Sequence, residues 1–139
     1  MMDIQTVGEA FVDFLQGKGI GTFGIDIFLG ELPQEAPDNA WLVVVSGGNP
    51  ELVTLDGSMI KLYTFNIYHR SLAGKEVERE LFSLEEELNR ANCIQLDGFE
   101  TIYSRATNFS QDEDLENENR RIGMLQAQVR LFKQNTQIS

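Results

Sequence analysis

An α+β fold, with two helices packed on one face of a mostly antiparallel sheet of about five strands, follows from three features of this 139-residue sequence. Two stretches carry apolar residues at helical spacing, near the start and at 74–91. Several others alternate or run continuously apolar, as strands do. Gly, Pro, Asn and Asp punctuate the chain between them, so the order reads α-β-β-β-α-β-β.

Ile4, Val7, Ala10, Phe11, Phe14 and Leu15 share one helical face and predict a first helix over roughly 4–17, ended by Lys18 and Gly19. Gly24 to Leu29 alternates, contains β-branched residues and reads as a short strand. Pro33 and Pro37 lie in an acidic linker from Glu31 to Asn39, which excludes a central strand there. Trp41 to Ser46 is nearly all apolar and predicts a strand covered on both faces, broken by Gly47-Gly48-Asn49-Pro50. Met59 to His69 alternates and predicts a long strand forming a hairpin with the previous one, and the intervening Gly47 to Ser58 segment has room for extended structure of its own.

Gly74 to Ala91 is the stronger helix. Val77, Leu81, Leu84, Leu88 and Ala91 form its apolar stripe, and Glu78, Arg79, Glu85, Glu86 and Arg90 its polar side. Thr101 to Phe109 reads as a strand, Gln111 to Arg121 as a polar, mostly acidic loop, and Ile122 to Phe132 as the last strand. Residues 1–133 form one domain in this reading, and 134–139 a polar C-terminal tail.

Charge narrows the classes of function. Twenty-two acidic against 11 basic residues leave a net charge of −11, which disfavours nucleic-acid binding and adhesion to anionic membranes. A single cysteine, Cys93, rules out an internal disulfide framework and fits a reducing compartment. The N-terminal stretch lacks the basic region of a secretory signal, and no apolar run reaches membrane-spanning length.

Chemical motifs are sparse. Gly19-Ile20-Gly21-Thr22-Phe23-Gly24 spells G-x-G-x-x-G, but it follows a helix and enters a strand, the reverse of a dinucleotide site, and reads as a turn. His69 is the only histidine and is expected as a partly exposed strand-end residue, with no nucleophile or orienting carboxylate evident around it. Cys93 reads as a small core residue. Asp112 to Glu118 fails the calcium-loop pattern, because its sixth and twelfth places fall on Asn117 and Gly123. The plainer reading of that run is a solvated loop; the alternative is a loop that faces neighbouring subunits or loosely holds divalent cations. Trp41, Phe65, Tyr68 and Phe132 would mark a subunit interface if they proved to lie on the surface.

The element order, the Pro- and acid-containing linker, the apolar Trp41 to Ser46 strand, the Met59 to His69 strand leading into the Gly74 to Ala91 helix, and the acidic break before the closing Ile122 to Phe132 strand together resemble the tail terminator (tail completion, or minor tail) proteins of long-tailed, lambda-like phages. The resemblance spans roughly residues 4 to 133 and rests on no signature peptide; the acidic break is longer and richer in Glu and Asn than the family's. It implies a structural virion protein, not an enzyme: a homo-hexameric ring that caps the tail tube, stops its polymerisation and joins tail to head. The partners it implies are further copies of the chain, the tail tube protein and a head-completion or connector protein, with DNA passing through the lumen unbound. It places the protein in the virion tail, assembled in the host bacterial cytoplasm. No catalytic, cofactor or metal residue is assigned. Candidate contacts with other subunits or with the tube are Gly47, Gly48, Asn49, Asp56, Asp112, Asp114, Glu116 and Glu118. Two other classes compete: an acidic cytosolic secretion-type chaperone, dimeric and binding a client segment, and a small enzyme, which would need a deep pocket lined by Asp26, His69 and Arg70.

Overall fold

A computed structural model describes residues 6–72, 74–90, 94–114 and 117–133, the side chains of 49, 74, 108–109, 111–114, 117–119 and 133 excepted. The first helix, α1 (Val7–Gly17), begins at a capping box. Glu9 N–H donates to Thr6 Oγ1 at 3.1 Å, and Thr6 N–H donates to Glu9 Oε1 at 3.0 Å. Two backbone donors that helix geometry leaves unpaired are thereby satisfied. The chain then turns through Thr22, whose carbonyl accepts from Ile25, Asp26 and Ile27. This turn shortens the expected strand from Gly24 to Leu29 to β1 (Ile27–Leu29).

β2 (Ala40–Val53) and β3 (Met59–Ser71) form the antiparallel hairpin. The expected break at Gly47-Gly48 is instead a register shift within a continuous strand. Both glycines take positive φ, 93° and 89°. A Cβ on Gly47 would lie 2.7 Å from the Leu62 carbonyl oxygen, so only glycine passes here. Extended structure therefore does run into the Gly47 to Ser58 segment, as far as Val53.

α2 (Gly74–Arg90) follows, then β4 (Glu100–Asp114) and β5 (Asn117–Lys133). These two strands correct the loop expected over Gln111 to Arg121. Asp112 pairs with Ile122, Glu113 with Arg121 and Asp114 with Asn117, so most of the acidic run is ladder. Side-chain polarity does not prevent backbone pairing where a neighbouring strand supplies the partners. Residues 134–139, Cys93 and Ala91 lie outside the described residues.

The strand order is β1-β2-β3-β5-β4. β1 pairs with β2 in parallel, and every other pairing is antiparallel. Phe23 adds an isolated parallel bridge to Ile27, a sixth, one-residue segment beyond the five expected. The sheet is thus mixed. The linker holding Pro33 and Pro37 is too long and too stiff for a tight hairpin, and it carries the chain back to run alongside β1 in the same direction.

Directly opposed residues share a face. Trp41, His69 and Gly123 form one row, Val43, Ile67 and Leu125 the next, and Val45, Phe65, Ala127 and Ala106 the third. This face meets both helices. Phe11 of α1 stacks on Phe65 with centroids 4.2 Å apart, and a Cβ on Gly8 would come within 3.0 Å of Val45. Val77 and Leu81 of α2 press so closely on Gly123 that a Cβ there would lie 2.3 Å from Leu81 Cδ1. Trp41 and Phe65 are therefore core residues and cannot serve as surface contacts.

The opposite face meets no helix among the described residues. Its rows are Leu42, Tyr68 and Met124; Val44, Asn66, Gln126 and Thr107; then Ser46, Thr64, Gln128 and Arg105. Beyond Leu62 and Arg130, the row of Leu52, Ile60 and Phe132 completes it. Tyr68 and Phe132 are half-buried there. No helix among the described residues is long and apolar enough to cross a membrane.

Candidate functional site

The largest sequence-level surprise is His69, expected partly exposed and found with no solvent exposure. Its position on the helix-facing side of β3 puts it under α2, and Trp41 stacks on its ring with centroids 3.9 Å apart. The Ala40 carbonyl lies 3.3 Å from Nδ1. A carbonyl only accepts, so Nδ1 carries the proton and Nε2 is left as an acceptor. Nε2 faces Glu80 Oε2 at 2.9 Å, off the line that an aligned hydrogen bond needs.

Burial pushes the His69 pKa down to about 4, against weaker upward pulls from the Ala40 carbonyl and the Glu76 charge. The Glu80 carboxyl is pushed up, first by burial and then by Glu76 beside it, with Arg79 opposing. Both shifts favour uncharged groups. At neutral pH the imidazole in this contact is therefore uncharged.

Next to this pair opens a cleft of about 440 Å³ lined by Lys18, Ile20, Trp41, Glu80, Ser83 and Glu87. Lys18 Nζ bonds Glu87 Oε1 at 2.9 Å across it and sits 5.5 Å from the Phe14 ring. The Lys18 ammonium holds the Glu87 carboxyl below its usual range. The cleft is thus bridged by an ion pair that ties the end of α1 to α2. Asp26, His69 and Arg70 do not converge on it. The Asp26 carboxylate accepts from Thr22 N–H at 2.6 Å, and the Arg70 guanidinium, on the opposite face of the sheet, donates to the Ala36 and Pro37 carbonyls at 3.0 and 2.9 Å. Among the described residues no group of three or more His, Cys, Asp or Glu side chains is placed to hold a metal ion.

The candidate contact residues fall in two places. Gly47 and Gly48 lie at the bulge of β2, with Asn49 the next residue in the strand. A Cβ on Gly48 would lie 2.9 Å from the Tyr63 ring. Asp56 lies at the tip of the β2–β3 hairpin, where it accepts from Thr54 Oγ1 and, at 2.9 Å, from Ser58 N–H. Those bonds, Thr54 first, lower its pKa and build the turn. Asp112, Asp114 and Glu118 belong to the paired ends of β4 and β5, while Glu116 lies outside the described residues.

Exposed apolar residues that sequence reasoning missed include Phe23, Ile25, Phe82 and a group at the hairpin tip. Leu55 at the hairpin tip is fully exposed, and Leu52 and Val53 beside it are more than half exposed. At the other end of the uncovered sheet face, Leu32, Ala40, Leu42, Tyr68, Arg70 and Ile122 enclose an apolar hollow of about 150 Å³. The wall holding Leu32 is the Pro-containing linker, pinned by Arg70 and by the Arg120–Asp38 ion pair at 3.2 Å. An apolar residue in a Gly- and Asp-rich turn, Leu55-Asp56-Gly57, was the available signal for the tip. The hollow had none, because it joins residues far apart in the chain.

The sheet edges are less available. β4 is an edge strand, yet Asn89 of α2 donates to the Ala106 carbonyl at 3.1 Å and accepts from Ala106 N–H at 2.8 Å. The side-chain amide thus occupies the edge-facing backbone groups of Ala106. The other edge, β1, is three residues long. No protein-family model and no curated protein matches the chain.

Proposed function

We propose that this protein is a structural subunit that self-associates into a ring at the end of a phage-type tail tube, where it stops tube growth and offers a joining surface to the head. The observation that carries this reading is the sheet face left without a helix among the described residues, on which Leu42, Val44, Leu62, Tyr68, Met124 and Phe132 are only half-buried. A sheet face with apolar residues at both ends and no helix over it favours burial against another protein surface. The central Asn66, Gln126 and Thr64 rows are polar, which suits an interface that forms after folding rather than a second core layer.

The charge fits the same role. Six copies at −11 each would give a strongly negative ring, and acidic side chains facing its lumen would let DNA phosphates slide without sticking. The same charge opposes assembly, so salt or magnesium is expected to promote it. The test is sedimentation of the purified protein at low and high ionic strength, with and without magnesium, followed by negative-stain microscopy with the tail tube protein. Rings that cap tubes and grow with ionic strength support the reading. A sample that stays monomeric in all these conditions refutes it, and a salt-insensitive dimer points to the client-binding chaperone instead.

A further inference from the structure

The β2–β3 hairpin projects an exposed leucine at one end and helps form an apolar hollow at the other. We infer that copies of this chain join head to tail, Leu55 of one copy seating in the hollow lined by Leu32, Leu42, Tyr68 and Ile122 of the next. This inference rests on the ring-assembly reading above and names the contact that would build the ring.

Three observations single out a second copy as the occupant. The first is that the tip is built to present its side chain. Thr54 N–H donates to the Ser58 carbonyl at 2.8 Å, Gly57 N–H donates to the Thr54 carbonyl at 3.0 Å, and the Asp56 carboxylate ties Thr54 to Ser58. A turn held this firmly loses little conformational freedom on docking, so an exposed leucine on it binds without a large ordering cost.

Size and polarity give the second. The hollow measures about 150 Å³. An apolar cavity of roughly that volume accommodates a benzene-sized guest, which is also the scale of one branched aliphatic side chain. The Arg70 guanidinium on its wall is engaged with the Ala36 and Pro37 carbonyls, so an apolar guest leaves that charge paired. One opposite-sign pair lies at the contact: Asp56 is next to Leu55 on the tip and Arg70 lines the hollow, while Glu51 is already paired with Arg130 at 2.8 Å.

The third is distance. Leu42 and Leu55 sit toward opposite ends of β2 and its turn, and at roughly 3.3 Å per residue they are about 40 Å apart. A chain cannot fill its own hollow with its own tip. A contact between two different patches repeats from copy to copy, and it closes into a ring when the rotation between neighbours permits. Strand addition at the β4 edge is a poorer route, since Asn89 already occupies the Ala106 backbone groups.

The experiment uses the full chain under the ionic conditions in which it assembles. Leu55→Asp places a charge on the exposed tip and leaves the hollow intact. Leu32→Trp fills the hollow from its linker wall and leaves the tip intact. Each variant alone is expected to sediment as a monomer, with unchanged circular dichroism, because losing one buried leucine weakens each contact about tenfold or more. Mixed one to one, they retain a single competent tip and a single competent hollow and are expected to stop at a heterodimer. Wild-type-like assembly of folded Leu55→Asp overturns the tip-and-hollow contact while leaving the ring reading standing. Monomeric variants that fail to pair on mixing also overturn it. Wild-type protein that never assembles overturns both.

Discussion

Acidification should unfold this protein through His69. The imidazole titrates near pH 6.5 in the unfolded chain and near 4 in its buried site. Between those values the unfolded state binds a proton that the folded state refuses. Stability from this group is complete above pH 6.5 and is lost as pH falls toward 4. Each pH unit removes about 1.4 kcal/mol, so the full window is worth about 3 kcal/mol. That is a large share of the ~5–15 kcal/mol total typical of a domain. The isoelectric point near 4.4 makes precipitation a hazard at the acid end. Measurement therefore stops at about pH 5, where roughly 2 kcal/mol has gone. Trp41, the only tryptophan, stacks on His69 and supplies the fluorescence probe. Urea unfolding of wild type and His69→Gln, each at about pH 7 and pH 5, gives the comparison. Glu80 titrates in the opposite sense, its raised pKa giving stability that fades as pH rises, and because it touches His69 at 2.9 Å a Glu80→Gln variant and the double variant complete the cycle that isolates the imidazole. The His69→Gln variant should lose about 2 kcal/mol less than wild type on acidification. Equal losses in the two proteins would show that the buried imidazole does not set the acid response.

Two glycines make opposite predictions in denaturant titrations. Gly123→Val should destabilise by about 3 kcal/mol or more, because its side chain would enter the space held by Leu81 Cδ1 and Val77 Cγ1; an unchanged urea midpoint would mean that α2 does not pack on β5. Gly17→Ala should instead raise stability by about 0.5–1 kcal/mol, since a Cβ there meets nothing within 4 Å and the residue is helical; a lower midpoint would contradict the position of the α1 end.

The assembly reading and the acid response concern opposite faces of one sheet, and the chain order explains how both arise. β3 lies centrally, between β2 and β5, so its alternation serves two masters. Phe65, Ile67 and His69 go under the helices, while Thr64, Asn66 and Tyr68 look outward. The two sites meet at Ala40, which lines the hollow and whose carbonyl lies 3.3 Å from His69 Nδ1, so the acid response is measured on protein kept below its assembly concentration.

Local pattern was enough to read both helices, the hairpin from Trp41 to His69, and the order of elements, because helical and strand periodicities are properties of neighbouring residues. The α1 cap, set by Thr6 and Glu9 three residues apart, is also a local signal, one that the sequence reading did not use. What the pattern could not say was which groups meet across the fold. The burial of His69 depends on α2 crossing above β3, the pairing of the acidic Asp112 to Asp114 stretch depends on β5 lying beside it, and the parallel edge at Ile27 depends on where the Pro-rich linker returns the chain. The apolar hollow needs Leu32, Tyr68 and Ile122 in one place, which only the strand order β1-β2-β3-β5-β4 arranges. Such contacts come from long-range pairing, whose energy is shared among residues that no short window contains.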